Sequence, residues 1–354
     1  METKKIQRNS AIELLRVMAM LFIIMSHASV HGGFQVGNMP LNINKVYLQV
    51  SILGNLGVDI FVIITGYLLC DKGHDIKRII KILIQTWMYS IFTFLLAILV
   101  FKEQVTIKMF INAIFPVITG KYWFVTVYIC LMFISPLLNT AIYSMRGKEH
   151  LKVVFTMLFL WSVIPTFTSF EMYGNEVIEF IMFYLIGAYF RKNPENLLYS
   201  KRLAYLLTII SIILYVASII MLDIISVYIP VLMPHVTYFN KRNSLLIIGI
   251  AVGLFAIAVN KKPFINSVIN CLGGTTLGIY LLHDSSDIRE ILWQKLICNN
   301  YYADSKILIP RIFISTLLVF SCGVIVEIIR KKLLEKNMLC FVDKIKFCIL
   351  KRRK

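Results

Sequence analysis

Apolar residues run through this chain in blocks too long and too continuous for strands. Ten such blocks stand out, at about 11–30, 51–70, 79–101, 122–141, 151–169, 177–190, 203–222, 244–260, 264–283 and 307–329. A helix needs about 20 apolar residues to cross a bilayer, whereas a membrane β-strand alternates over about 10. Most of the blocks meet the helical length; the sixth and eighth are short. No internal repeat, Gly/Ser linker or low-complexity tract divides them. The pattern predicts an all-α polytopic membrane protein with about ten transmembrane helices. It also predicts one integral domain over 1–329 and a basic tail over 330–354.

Composition removes the alternatives. The chain has 354 residues, 58% hydrophobic and 16% charged. A soluble domain is nearer about 45–50% apolar and a quarter charged, so neither a soluble two-domain enzyme nor a disordered chain fits. The basic residues start ahead of an apolar stretch with no small-residue cleavage site, which reads as a retained first helix. Seven cysteines are scattered without a C-x-x-C pair, so neither a disulfide framework nor a metal site is expected.

Charge then sets orientation. Lys and Arg number 37 against 19 Asp and Glu, for a net charge of +18. In a membrane chain this excess points to cytoplasmic loops and anionic lipids rather than nucleic acid. With the N-terminus inside, 27 of the 37 basic residues fall on the inner side and 10 on the outer. Both termini are therefore expected in the cytoplasm. The tail mixes Lys and Arg with Leu, Phe and Ile, and reads as an amphipathic segment on the inner membrane face or as a disordered stop-transfer tail.

Ionisable groups inside a spanning helix are costly and mark function. The first block holds Glu13, Arg16 and His27. Ser10 and Glu13 have capping-box spacing, and Glu13 and Arg16 are placed to pair three residues apart. Arg16 and His27 lie eleven positions apart, only about 20° from a whole number of turns, so they share a helix face roughly 16 Å apart along the axis. That geometry suits a cation holding phosphates at the inner mouth and an imidazole meeting the reactive end of the same ligand. The plainer readings are a snorkelling Arg16 and a satisfied buried His27. Asp59, in the second block, lies at a depth similar to His27. It reads as the carboxylate orienting that ring or as a structural hydrogen-bonding group. Arg78 and Lys81, three apart at the inner start of the third block, suit either phosphate contact or the positive-inside bias. His74, nearby, reads as a solvated loop residue. Tyr122 and Trp123 read as an outer aromatic belt or as substrate contacts, and His283 with Asp284 as interfacial groups or as part of a site. The loops "FTSFEMYGNE" and "VYIPVLMPHVTYF" read as a glycan or lipid entrance, or as ordinary interfacial loops.

Several of these strings, taken together, resemble the integral-membrane acyltransferase 3 family. Arg16 and His27 are similar to its first-helix Arg-x10-His, and "GVDIFVIITGYLL" to its "GVDxFFxxSGxxL", with Thr65 where Ser is usual. "RIIK" from Arg78 resembles an R-x-x-R with Lys81 as the second cation. "YWFVTVY" and "LGIYLLHD" resemble its fourth-helix and late-helix signatures. The resemblance implies ten helices and a cytoplasmic acyl-CoA donor, commonly acetyl-CoA. It also implies transfer to a hydroxyl of a cell-envelope glycan or lipid-linked saccharide at the bacterial plasma membrane. His27 becomes the essential histidine, with Arg16, Arg78 and Lys81 as donor-binding cations. Only residues 330–354 follow the last block, so no second domain is expected to relay the acyl group. Under that resemblance, His27 acts as general base with Asp59 fixing its tautomer, or carries the acyl group itself. The rival reading is a transporter of a lipid-linked or anionic solute; the halves lack the symmetry that transporters often show.

Overall fold

Local capping chemistry sets where the helices begin. Helix α1 (Ser10–Val30) is capped by Asn9, whose side chain accepts from the Ala11 amide. The expected Ser10–Glu13 capping box does not form: Ser10 is the first helical residue, one past the cap, and its hydroxyl donates to the Asn270 side chain at 2.8 Å. Glu13 and Arg16 pair at 3.3 Å, as their spacing predicts.

The structure, a computed structural model, describes residues 8–351 apart from 74, 169 and 171, and their side chains apart from 336, 339 and 341–351. His74 lies outside the described residues, as do Lys4, Lys5 and the last three residues of the tail. Among the described residues every regular element is helical. After α1 come α2 (Ile43–Val50), α3 (Gly54–Leu69), α4 (Ile76–Leu99), α5 (Ile107–Ile114), α6 (Trp123–Ser144) and α7 (Gly147–Leu158). A π-helical turn, Phe159–Val163, leads into α8 (Ile164–Thr168). The chain continues with α9 (Glu176–Lys192), α10 (Lys201–Tyr228), α11 (Leu245–Val259), α12 (Ser267–Gly273), α13 (Thr276–His283) and α14 (Leu308–Lys351).

Eight helical stretches among the described residues are long and apolar enough to cross a membrane, so the chain is a polytopic helical membrane protein. Two of the ten blocks differ from that standard. The block at 177–190 forms α9, only 17 residues long and enclosed by protein along most of its length. The block at 264–283 is two short helices, broken at Gly273, Gly274 and Thr275. Glycine is a poor helix former, and the Thr275 hydroxyl turns back to bond the Leu272 carbonyl at 2.7 Å. Such breaks are tolerated at membrane depth where protein surrounds them.

Helices α1, α3, α9 and α11 form the centre, and α10 turns a run of exposed Ile and Leu outward. Lipid tails are as apolar as leucine, so close approach of backbones rather than water exclusion holds such a core. The tightest approach is between α3 and α9. A Cβ on Gly66 would overlap the Tyr184 carbonyl, and one on Gly187 the Ile63 carbonyl. The start of α3 lies beside the end of α1, where Gly54 faces Ser26.

The tail begins inside the bundle rather than free of it. Arg330 is buried and bonds Glu327 and Glu335, while Lys331 donates to the Gly274 carbonyl at 2.7 Å. Helix α14 runs unbroken through this region to Lys351.

Substituting Gly66 or Gly187 by Val is expected to destabilise the bundle by about 1–3 kcal/mol through overpacking. The readout is a lower unfolding midpoint in detergent, with Gly37→Ala, which meets nothing within 4 Å, as the silent control.

Candidate active site

His27 sits one turn before the end of α1, and the end of α13 brings His283 and Asp284 against it. The His283 Nδ1 lies 2.7 Å from the Ile279 carbonyl, which can only accept, so Nδ1 carries the proton. In neutral His283 the other nitrogen, Nε2, is then an acceptor. It lies 3.1 Å from His27 Nδ1, so His27 donates there. The consequence is a His27 ring whose Nε2 holds a free lone pair, with no hydrogen-bond partner among the described residues. A base is poised by two successive hydrogen bonds.

Asp284 stands beside this pair, its Oδ1 3.6 Å from His27 Nδ1 and 3.2 Å from Arg289 Nη1. A carboxylate so placed favours the imidazolium that forms when His27 takes a proton. His31 packs its ring 5.2 Å from that of His27, centroid to centroid. Burial and the Arg289 guanidinium push the His31 imidazole down from its ordinary value, against the opposing pull of Asp284 and Glu290. Donor atoms of His27, His31 and Asp284 lie within 4.8 Å of one another, the one such group among the described residues. A divalent cation there would compete with Arg289 for Asp284.

The segment after α13 is fastened by a buried ion pair. Lys121 Nζ meets Asp287 Oδ2 at 2.5 Å, with both side chains almost fully buried, and also donates to Ser90 Oγ at 3.1 Å. Ser285 donates to Thr93 at 2.8 Å. Together these bonds hold residues 284–287 against α4, and so fix Asp284 beside the histidines.

A cavity of about 390 Å³ runs beside α1 and is lined by both Arg16 and His27. Its volume is typical of a small-molecule site. Arg16 keeps its Nε buried without a partner, a donor left for a ligand. Thr65, Trp123, Phe124, Tyr128 and Tyr280 form aromatic and hydroxyl walls.

Other expected residues sit differently. Asp59 is fully buried, but both its oxygens lack a hydrogen-bond partner, so it does not orient His27. Asp284 holds the place beside the ring that the depth argument gave to Asp59. Tyr122 is fully buried and spends its hydroxyl on the Leu281 carbonyl at 3.0 Å; its neighbour Trp123 faces the cavity. Lys81 is bonded to Glu335, and Arg78 lines a small separate recess with Lys72 and Asp75. Neither borders the main cavity. Tyr280, His31 and Arg289 went unsuggested by the sequence. Tyr280 and His31 had a signal available, since Tyr280 lies three residues before His283 and His31 four after His27, each on the same helix face.

The family profile for the acyltransferase domain, of the acyltransferase 3 type, matches residues 9–328. The chain belongs to this family. It is a membrane acyltransferase, and the transporter reading gives way to that membership. No curated protein and no solved structure matches it significantly. In this acyltransferase the matched span takes in α1 through the first part of α14, including every residue placed around His27.

Replacing Asp287 by Ala leaves the Lys121 ammonium buried without its counter-charge. The expected cost is about 3–5 kcal/mol of stability, whereas Lys121→Met with Asp287→Leu recovers most of it. Thermal unfolding of the two variants in detergent checks this.

Proposed function

We propose that the enzyme moves an acetyl group from acetyl-CoA to a hydroxyl of a cell-envelope glycan or its lipid-linked precursor, at the bacterial plasma membrane. The observation that supports this most directly is the single cavity that holds Arg16 near one end of α1 and the free Nε2 of His27 near the other. A CoA thioester needs both features: a cation for its phosphates and, an extended arm away, a base beside its carbonyl.

In this reading the Arg16 end faces the cytoplasm and grips donor phosphate through guanidinium N–H groups. His27 Nε2 removes the proton from the acceptor hydroxyl as its oxygen attacks the thioester carbonyl. The tetrahedral intermediate collapses with loss of the C–S bond, and the leaving thiolate takes the proton back from His27. Ester and free CoA thiol are the products, and the base is restored. During the step His283 keeps the ring's orientation through its bond to Nδ1, and Asp284 offsets the positive charge on the imidazolium. The proposal gives Arg16 the main part in donor binding. Lys81 joins it only by releasing Glu335, and Arg78 only from outside the cavity.

Membranes carrying each variant, supplied with radiolabelled acetyl-CoA and envelope glycan, test the assignment. His27→Gln is expected to cut label transfer by about 10²–10⁴-fold while the protein stays inserted. Asp284→Asn is expected to lower kcat less and to change the pH profile of transfer. Arg16→Gln is expected to raise the donor KM about ten- to a hundredfold, well beyond the effect of Lys81→Ala. A His27→Gln protein that is inserted and fully active would falsify the reading.

A further inference from the structure

A second, polar recess adjoins the first at the His27 end of the bundle. Its volume is about 290 Å³, and its walls come from the starts of α3 and α9, from the segment before α11 and from the turn before α8. Asn55 lines both spaces. Arg242, in the recess, places its guanidinium 5.0 Å over the ring of Trp123, a wall of the catalytic cavity. The two compartments therefore share a boundary of polar and aromatic groups.

Three features mark this recess as built for a ligand. Trp161 lines it from the π-helical turn Phe159–Val163, and its indole Nε1 is buried with no hydrogen-bond partner. Extra-residue turns of this kind cost helical hydrogen bonding and occur often at functional sites. Glu179 and Arg242 form an ion pair at 2.5 Å across the wall, which presents both signs of charge in fixed positions. The segment that leads to Gly174 in the recess wall carries two residues with left-handed backbone, Met172 at φ 48° and Tyr173 at φ 51°, where neither side chain eases that conformation. Asn243 and Glu176 add amide and carboxylate groups.

Such a lining suits neither a lipid tail nor the thioester. One indole, amides, carboxylates and the cations Lys241 and Arg242 at close quarters match a ring bearing several hydroxyls, since each hydroxyl both donates and accepts. We infer that the recess of Asn55, Trp161, Glu176, Glu179, Arg242 and Asn243 binds one saccharide ring of the acceptor and directs its hydroxyl toward His27. The inference rests on the acyl-transfer reading for what happens next, but saccharide binding itself is separable from turnover.

The full chain in lipid nanodiscs tests it by saturation-transfer NMR with three methyl glycosides as probes: of glucose, N-acetylglucosamine and glucuronic acid. Transfer to at least one probe is expected. Trp161→Phe, which keeps the ring and deletes the N–H, should weaken it about five- to tenfold. Glu176→Gln with Asn243→Ala should weaken it further, with unfolding midpoints confirming intact protein. His27→Gln should leave probe binding in place, so loss of catalysis and loss of binding are read apart. No transfer to any of the three probes, or transfer unchanged in Trp161→Phe, overturns the inference. Probe binding alongside an active His27→Gln protein would leave the saccharide site standing and remove the mechanism.

Discussion

The orientation of the His27 ring depends on one backbone carbonyl. Ile279 accepts from His283, and that bond decides which nitrogen of His283 can accept from His27. A histidine in a membrane has two neutral tautomers of similar energy, and only one leaves the His27 Nε2 lone pair unspent. Here the choice is made by a helical carbonyl one turn before His283, a group that no side-chain substitution removes. Because α13 is only eight residues long, its end must be placed accurately for the chain of bonds to reach α1.

The rest of the bundle supplies that placement. Glycines at the crossing of α3 and α9 bring their backbones close, and α1 packs on α3 from the other side. The broken helix of α12 and α13 is held at its break by Lys331 from α14, and at its far end by the Lys121–Asp287 pair. An unbroken helix over the same residues would lack the change of path at Gly274. The polar bonds at either end of α13 thus locate it where lipid-facing packing alone would permit sliding.

Much of this was readable in the residues, and the failures have physical causes. Continuous apolar blocks located the long helices, because a membrane demands internally bonded backbone over a set length. Helical periodicity put Arg16 and His27 on one face, and one cavity does contain both. Depth alone could not choose between Asp59 and Asp284 as the partner of His27. Equal depth leaves rotation about each helix axis undetermined, and α3 turns Asp59 to a place where it bonds nothing. Loop statistics could not foresee that Lys81 would be engaged by Glu335, since that bond spans 254 residues. Tyr122 and Trp123 look alike as interfacial aromatics, yet the start of α6 sends one inward and the other to the cavity. The break in α12 and α13 had a visible sign in "GGTT", which apolar averaging smooths away.

The distance along the chain between His27 and His283 has a consequence for biogenesis. They stand 256 residues apart, so at ribosomal speeds of about 5–20 residues per second the first imidazole enters the bilayer some tens of seconds before its partner is made. Through that interval its Nδ1 proton has no designated acceptor. The chain therefore completes the pairing of these two rings only among the last events of its synthesis.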